Sequence, residues 1–322
     1  MVSLTAIRAS NIVSASAVTG SPVAVFVGGT SGIGQGMAEA FGRMTNGNAH
    51  IIIVGRNRQA AESVLSNIPS PTSPPSQPQS GASTTKEWTR EFIQCDATLM
   101  KSVQTASNEI LAKHGKINYL IQSPGIMTTG GRDETSEGID KKLALHYYAR
   151  WKFIDELLPA LRRANKDGED AKVMSVLGAG YGGEIDVDDL GLVKGYSTRA
   201  AALQGTTYND LMMEEFSNRN PGLTFIHAQP GGVKTNIANN SPSLLVRLAG
   251  KIGLFFVAPF LSTSEQCAHY MWKAIFNHAG GAFRTNPKGA DIGKWRYFGN
   301  EEQRKKLWEH TIEMTRTSVP ST

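Results

Sequence analysis

Between residues 23 and 44 an apolar run, a glycine cluster and an amphipathic segment follow without a spacer, and no other stretch constrains the fold as tightly. Val23 to Val27 is a short β-rich run bounded by Pro22 and Gly28, which reads as a buried strand. Gly34 to Met44 spaces Met37, Ala38 and Phe41 as a helix does. Gly28-Gly29-Thr30-Ser31-Gly32-Ile33-Gly34 joins the two. Glycines there allow a tight turn, close backbone approach to a pyrophosphate, and tight packing of helix on strand. The helix's unpaired N–H groups and positive dipole end then face the phosphates. With a strand before it and a helix after it, the motif predicts a dinucleotide site.

The alternation continues along the chain. Ile51 to Val54, Phe92 to Cys95, Tyr119 to Gln122, Lys172 to Val176 and Leu223 to Ala228 read as further strands, with Gly281 to Arg284 a candidate last one. Ala60 to Ile68, Ser102 to Lys113, Lys141 to Asn165 and Tyr196 to Phe216 read as helices, Pro159 marking a break or bend in the third. This order predicts an α/β fold: a single Rossmann-type, doubly wound parallel sheet with helices on both faces, spanning residues 22–322. Residues 1–21 read as an N-terminal extension, and a helical C-terminal segment covers the substrate. Residues 69–85, dominated by Pro, Ser, Thr and Gln, interrupt the domain as a solvated loop.

A hydrophobic fraction of 40% and a charged fraction of 19% suit a globular chain with a sizeable core. The net charge of +5 is scattered, which argues against a nucleic-acid partner. Cys95 and Cys267 form no CxxC pair and read as buried small hydrophobes in a reducing compartment, and no metal site is expected. No apolar stretch reaches transmembrane length, and no compact apolar core of a signal peptide precedes Gly20. The cytoplasm is the expected location, although the Ser- and Ala-rich start, free of acids, leaves a transit peptide open.

The residue ending the second strand selects the cofactor. An acid there would bind the adenosine ribose hydroxyls, whereas Arg accommodates a 2′-phosphate. Gly55-Arg56-Asn57 contains no acid, and a guanidinium pairs with phosphate bidentately, so NADP(H) is expected.

The spacing Gly28-x-x-x-Gly32-x-Gly34 resembles the short-chain dehydrogenase/reductase family, and later segments agree. Asp96, followed by Ala97, resembles the family's adenine-contacting Asp after the third strand. Gln122-Ser123-Pro124-Gly125 sits where the family carries an Asn-Asn-Ala-Gly turn. Pro230-Gly231-Gly232-Val233-x-Thr235 resembles the segment bordering the nicotinamide, and Asn300 to Glu309 is similar to the C-terminal helix of the retinol-dehydrogenase-like subgroup. The resemblance implies hydride transfer between nicotinamide and a carbonyl or alcohol carbon. In that chemistry a Tyr is the general acid or base, a Lys four residues on lowers its pKa, a Ser polarises the substrate oxygen and an Asn supports a proton relay.

This chain departs from that tetrad. Tyr196 matches the Tyr, but the Lys position is Ala200. Arg199, three residues on along the helix and so a neighbour of Tyr196, or Lys194 before it, could supply the charge. The Ser position is Gly178, and Ser175 points to the opposite face of its strand. The Asn position is His146, either a proton relay or a hydrogen-bonded core residue. Tyr208 reads as packing, and the direction of Tyr181 stays open.

Residues 241–262 are unusually apolar for a loop, with Leu244, Leu245, Val246, Leu248, Ile252, Leu254, Phe255 and Phe256. They suit a lid over a bulky hydrophobic small molecule such as a terpenoid, polyketide or lipid-derived ketone, or else an oligomer contact or peripheral membrane attachment. Three functions follow: an NADP(H)-dependent oxidoreductase with Tyr196 as acid/base; the same fold running isomerisation, dehydration or alkene reduction; or a non-catalytic NADP(H)-binding protein. Homo-oligomers are common in the resembling family, and the chain's own assembly is left open.

Overall fold

The computed structural model describes residues 2–75, 87–235 and 261–317. Among them runs one seven-stranded sheet: β1 (Val23–Val27), β2 (His50–Gly55), β3 (Arg90–Gln94), β4 (Tyr119–Gln122), β5 (Lys172–Val176), β6 (Thr224–Ala228) and β7 (Gly281–Thr285). Their order is β3-β2-β1-β4-β5-β6-β7, and every neighbouring pair is parallel. Every residue of β1, β4, β5 and β6 is buried, the condition of parallel strands covered on both faces and the reason they read as unbroken apolar runs. Strand order reverses between β1 and β4, and in an open sheet the crevice beyond the carboxyl ends at such a point is where a ligand binds.

One face is covered by α1 (Leu4–Ser16), α2 (Gly32–Met44), α3 (Arg58–Ser66) and α8 (Ser264–Asn277). Phe41 stacks on Trp272 at 4.6 Å, and the indole N–H donates to the Met37 carbonyl at 3.0 Å, so α2 and α8 are locked by rings and by one buried hydrogen bond. The other face carries α4 (Met100–Lys113), α6 (Ala149–Lys166), α7 (Thr198–Arg219) and α9 (Glu301–Met314), where Trp308 meets Trp151 and Phe216. Cys95 and Cys267 are buried free thiols, pushed by desolvation up to about 11 and about 12.

Several local expectations change. Within the expected extension, α1 is capped by Ser3, buries Ile7 and Ala15, and ties down through Asn11, whose Nδ2 donates to the His269 carbonyl at 2.8 Å. The expected helix over 141–165 divides instead into α5 (Lys141–Leu143), a π-turn over Ala144–Tyr148, and α6. Pro159 lies inside α6 without interrupting it, because burial of Leu157, Leu158, Ala160 and Leu161 outweighs one missing backbone bond. The helix expected from Tyr196 starts at Thr198, after Ser197 accepts the Ala200 N–H at 2.9 Å as N-cap.

The Asn48 side chain accepts the amides of Thr72 and Ser73 and so holds the start of the Pro/Ser-rich loop. The rest of that loop, 76–85, and residues 241–260 of the expected lid lie outside the described residues. No helix among the described residues is long and apolar enough to cross a membrane.

Candidate active site

The glycine turn touches three other chain segments, and its contacts with the ends of β2 and β4 leave no room for a side chain on the glycine. A Cβ on Gly28, whose φ is +79°, would stand 2.8 Å from the Pro124 nitrogen at the end of β4. One on Gly34 would stand 2.5 Å from Ser123 Oγ and 2.6 Å from the Gly28 carbonyl oxygen. Thr30 packs where Gly55 at the end of β2 would carry its Cβ, and the Thr235 methyl lies 3.3 Å from the corresponding point on Gly32. The cradle therefore joins the ends of β1, β2 and β4 to the segment after β6.

Its chemistry suits an anion. Ser31 is the N-cap of α2 in extended conformation, its side chain makes no capping bond, and the first turn holds no acid. The N–H groups opening the helix are thus left for a ligand's phosphates. Arg56 is exposed and has no hydrogen bond or ion pair among the described residues. Asn57 is committed to α3, where it accepts the Ala60 N–H at 3.0 Å. Asp96 accepts from the Thr98 amide and hydroxyl, at 3.0 and 2.8 Å, closing the turn that carries Ala97. A dinucleotide phosphate fits this donor set.

The segment after β6 is pinned by backbone. Val233 bridges to Ser262, Lys234 N–H donates to the Ser262 carbonyl at 2.9 Å, and the Pro230 carbonyl faces Cys267. Gly231, with φ of +74°, stands over Pro287.

At the ends of β4 and β5 the site is held by side chains. Arg150, 1% exposed, donates to five acceptors: the carbonyls of Leu145, Gln122, Val176 and Pro124 at 3.0, 3.3, 2.9 and 2.5 Å, and Ser175 Oγ at 2.5 Å. Ser175 in turn donates to Asn209 Oδ1 at 2.6 Å, and Asn209 Nδ2 donates to the His146 carbonyl at 2.7 Å. Ser175 is therefore part of the core network and does not face a substrate. His146 Nε2 accepts the Ile126 N–H at 3.3 Å, which puts the ring proton on Nδ1. Burial, with the Arg150 and Lys142 charges adding to it, pushes its pKa down to about 3, so His146 is neutral at physiological pH.

Gly178, at the family's Ser position, donates its N–H to His227 Nε2 at 3.1 Å. The other imidazole nitrogen, Nδ1, pairs with Asp210 at 2.5 Å, and Asp210 faces Arg284 at 2.9 Å. Thr206 of α7 fills the space a side chain at 178 would need, with Oγ1 3.3 Å from that Cβ position. Neither His227 nor Asp210 was legible as part of the site, because 17 residues separate them in sequence.

Tyr196 is not on α7. It sits in the loop before Ser197, so the helical neighbourhood expected for Tyr196 and Arg199 does not form. Burial and then Asp140 raise its pKa, the opposite of what a neighbouring lysine does. Arg199 is exposed on the first turn of α7, without a hydrogen bond or ion pair among the described residues, and Lys194 is exposed in the preceding loop. Tyr208 donates to the Leu190 carbonyl and to Gln204, as a packing residue does. Tyr181 is 53% exposed, its Cβ 3.9 Å from the Cβ position of Gly178, with the Arg296 guanidinium 5.6 Å from its ring.

The family profile described as short chain dehydrogenase matches residues 22–244. An oxidoreductase of Emericella nidulans is 36% identical over 243 residues, which is 75% of this chain and 66% of that one. An oxidoreductase of Emericella variicolor is 33% identical over 252 residues, 77% of this chain and 67% of that one, so the chain spans about two thirds of the length of these relatives. Human polyprenol dehydrogenase is 28% identical over 311 residues, 91% of this chain and 84% of that one. Among solved structures, NADPH-bound carbonyl reductase from chicken fatty liver superposes with a TM-score of 0.57 at 16% identity, over 85% of this chain and 100% of that one.

Proposed function

The chain belongs to the short-chain dehydrogenase/reductase family, and from that premise we propose that it is an NADP(H)-dependent oxidoreductase interconverting a carbonyl and an alcohol on a bulky hydrophobic small molecule. The observation that carries the cofactor choice is Arg56, exposed after β2 and without an ion pair among the described residues, with no acid beside it to bind ribose hydroxyls. For the substrate class, one relative is named for a polyprenol and a structural neighbour is a carbonyl reductase, and the apolar run at 241–261 agrees with them.

When bound, the dinucleotide supplies the hydride. The glycine turn and α2 would hold its phosphates, Arg56 the 2′-phosphate, and the Pro124 and Pro230–Thr235 segments would border the nicotinamide. In the reductive direction Tyr196, kept protonated by burial and by Asp140, would give its phenolic proton to the substrate oxygen and regain one from solvent. A second reading assigns that proton to Tyr181, which is more exposed and stands beside Gly178.

The test follows deuterium from [4-2H]NADPH into a panel of hydrophobic ketones by mass spectrometry, after calorimetry has established NADPH binding. Deuterium on a carbinol carbon supports the reading. Binding without transfer to any carbonyl, or to an activated alkene, would make the chain a non-catalytic NADP(H) binder. Tyr196→Phe is expected to slow transfer by about a hundredfold or more. Full activity in that variant, with a comparable loss in Tyr181→Phe, moves the proton to Tyr181.

A further inference from the structure

Arg150 is a buried guanidinium that forms no ion pair among the described residues. An unpaired ion in a protein interior costs several kcal/mol, and an apolar side chain of similar volume would serve packing better. All five of its hydrogen-bond acceptors are uncharged, so its charge is not neutralised locally. Four of those acceptors are the carbonyls of Gln122 and Pro124 at the end of β4, Val176 at the end of β5, and Leu145 in the π-turn. The remaining acceptor is Ser175, which links it to Asn209 of α7. The guanidinium thus underlies the strand ends beyond the switch point, where the second half of a dinucleotide rests in this sheet order.

On the reading that this crevice binds NADP(H), we infer that Arg150 is a positioning residue that fixes the nicotinamide end of the site and places a positive charge beneath it. Ala200 stands at the sequence position of the family's lysine, and α7 turns Gly205 and Asn209 toward His146 and Thr206 toward Gly178, none of them a cation. Burial depresses the Arg150 pKa only to about 9, so the residue remains a cation at neutral pH.

A charge at this place discriminates between the two forms of the coenzyme, because the oxidised nicotinamide ring is cationic and the reduced ring is neutral. A role confined to folding or to shape would change both affinities together. The experiment measures dissociation constants of NADPH and NADP+ by calorimetry for the full chain, Arg150→Met, Arg150→Gln and Arg150→Lys, with thermal unfolding of each.

The wild-type protein is expected to bind NADPH the more tightly, and the two neutral variants to shift the ratio about tenfold toward NADP+. Arg150→Lys is expected to keep the ratio within about twofold while weakening both forms, since an ammonium cannot span five acceptors. A wild-type ratio at or below one, an unchanged ratio in a folded neutral variant, or a lysine variant that shifts like the neutral ones each overturns the inference and leaves the cofactor assignment standing. Failure of the wild-type chain to bind either form removes the cofactor reading itself and this inference with it. If neither neutral variant folds, the wild-type ratio and the lysine variant decide.

Discussion

Around the end of β1 the candidate site is made of backbone, with glycines that leave room and the amides opening α2, joined by the outward guanidinium of Arg56. Around the ends of β4 and β5 it is made of buried side chains: Arg150, Ser175 and Asn209 in one network, Asp210, His227 and Arg284 in another. The first region needs only small residues and an open helix end, which a short motif can encode. The second depends on groups brought together from α6, β5, α7, β6 and β7, so its chemistry can drift from the family pattern while the fold is kept.

The sharpest way to separate the regions is to damage one and read the other. Asp210→Ala leaves Arg284 and His227 buried without their carboxylate, and the expected loss is about 3–5 kcal/mol in a denaturant titration. NADPH affinity of the folded fraction should then change by less than about tenfold, because the glycine turn is untouched. A stability loss below about 1 kcal/mol would show that Asp210 is not the keystone of the β6–β7 side.

Gly34→Val addresses the other region. A branched side chain would collide with Ser123 Oγ and the Gly28 carbonyl, displacing the turn that faces the phosphates. NADPH binding should weaken by more than a hundredfold, about 3 kcal/mol. Arg56→Ala is milder: removing one charge-assisted phosphate contact should weaken NADPH by about 1.5–3 kcal/mol while NADH affinity stays level. Equal losses for both coenzymes would take the 2′-phosphate away from Arg56.

The same contrast explains what could be read from the chain alone. Val23 to Gly34 carries strand, turn and helix in consecutive residues, so local periodicity and glycine placement suffice. Arg150 on an apolar helix face gives no local sign that its head is buried, because Arg side chains commonly extend to water. The π-turn has no residue signature, and α7 begins two residues beyond the expected Tyr196, at the point that Ser197, a good N-cap type, marks. Tyr196 was matched by its neighbours in sequence, whereas its electrostatics come from Asp140, 56 positions earlier in the chain.

Two histidines lie at opposite ends of the strands, His50 at the start of β2, level with Val23, and His146 beside the ends of β4 and β5. His50 on β2 is pushed down to about 4, by burial first and by His114 next, and His146 down to about 3, by burial and by Arg150. Both are therefore neutral when folded but take up protons near 6.5 when unfolded. Below that pH the unfolded chain binds more protons, so stability is complete near neutrality and falls with acid until the folded pKa is reached. Between pH 7 and 5.5 each histidine should remove about 1 kcal/mol, and His50→Gln or His146→Asn should flatten the pH dependence by that amount. If only His50→Gln does so, His146 meets solvent more freely than its environment among Arg150, Lys142 and the Ile126 amide implies.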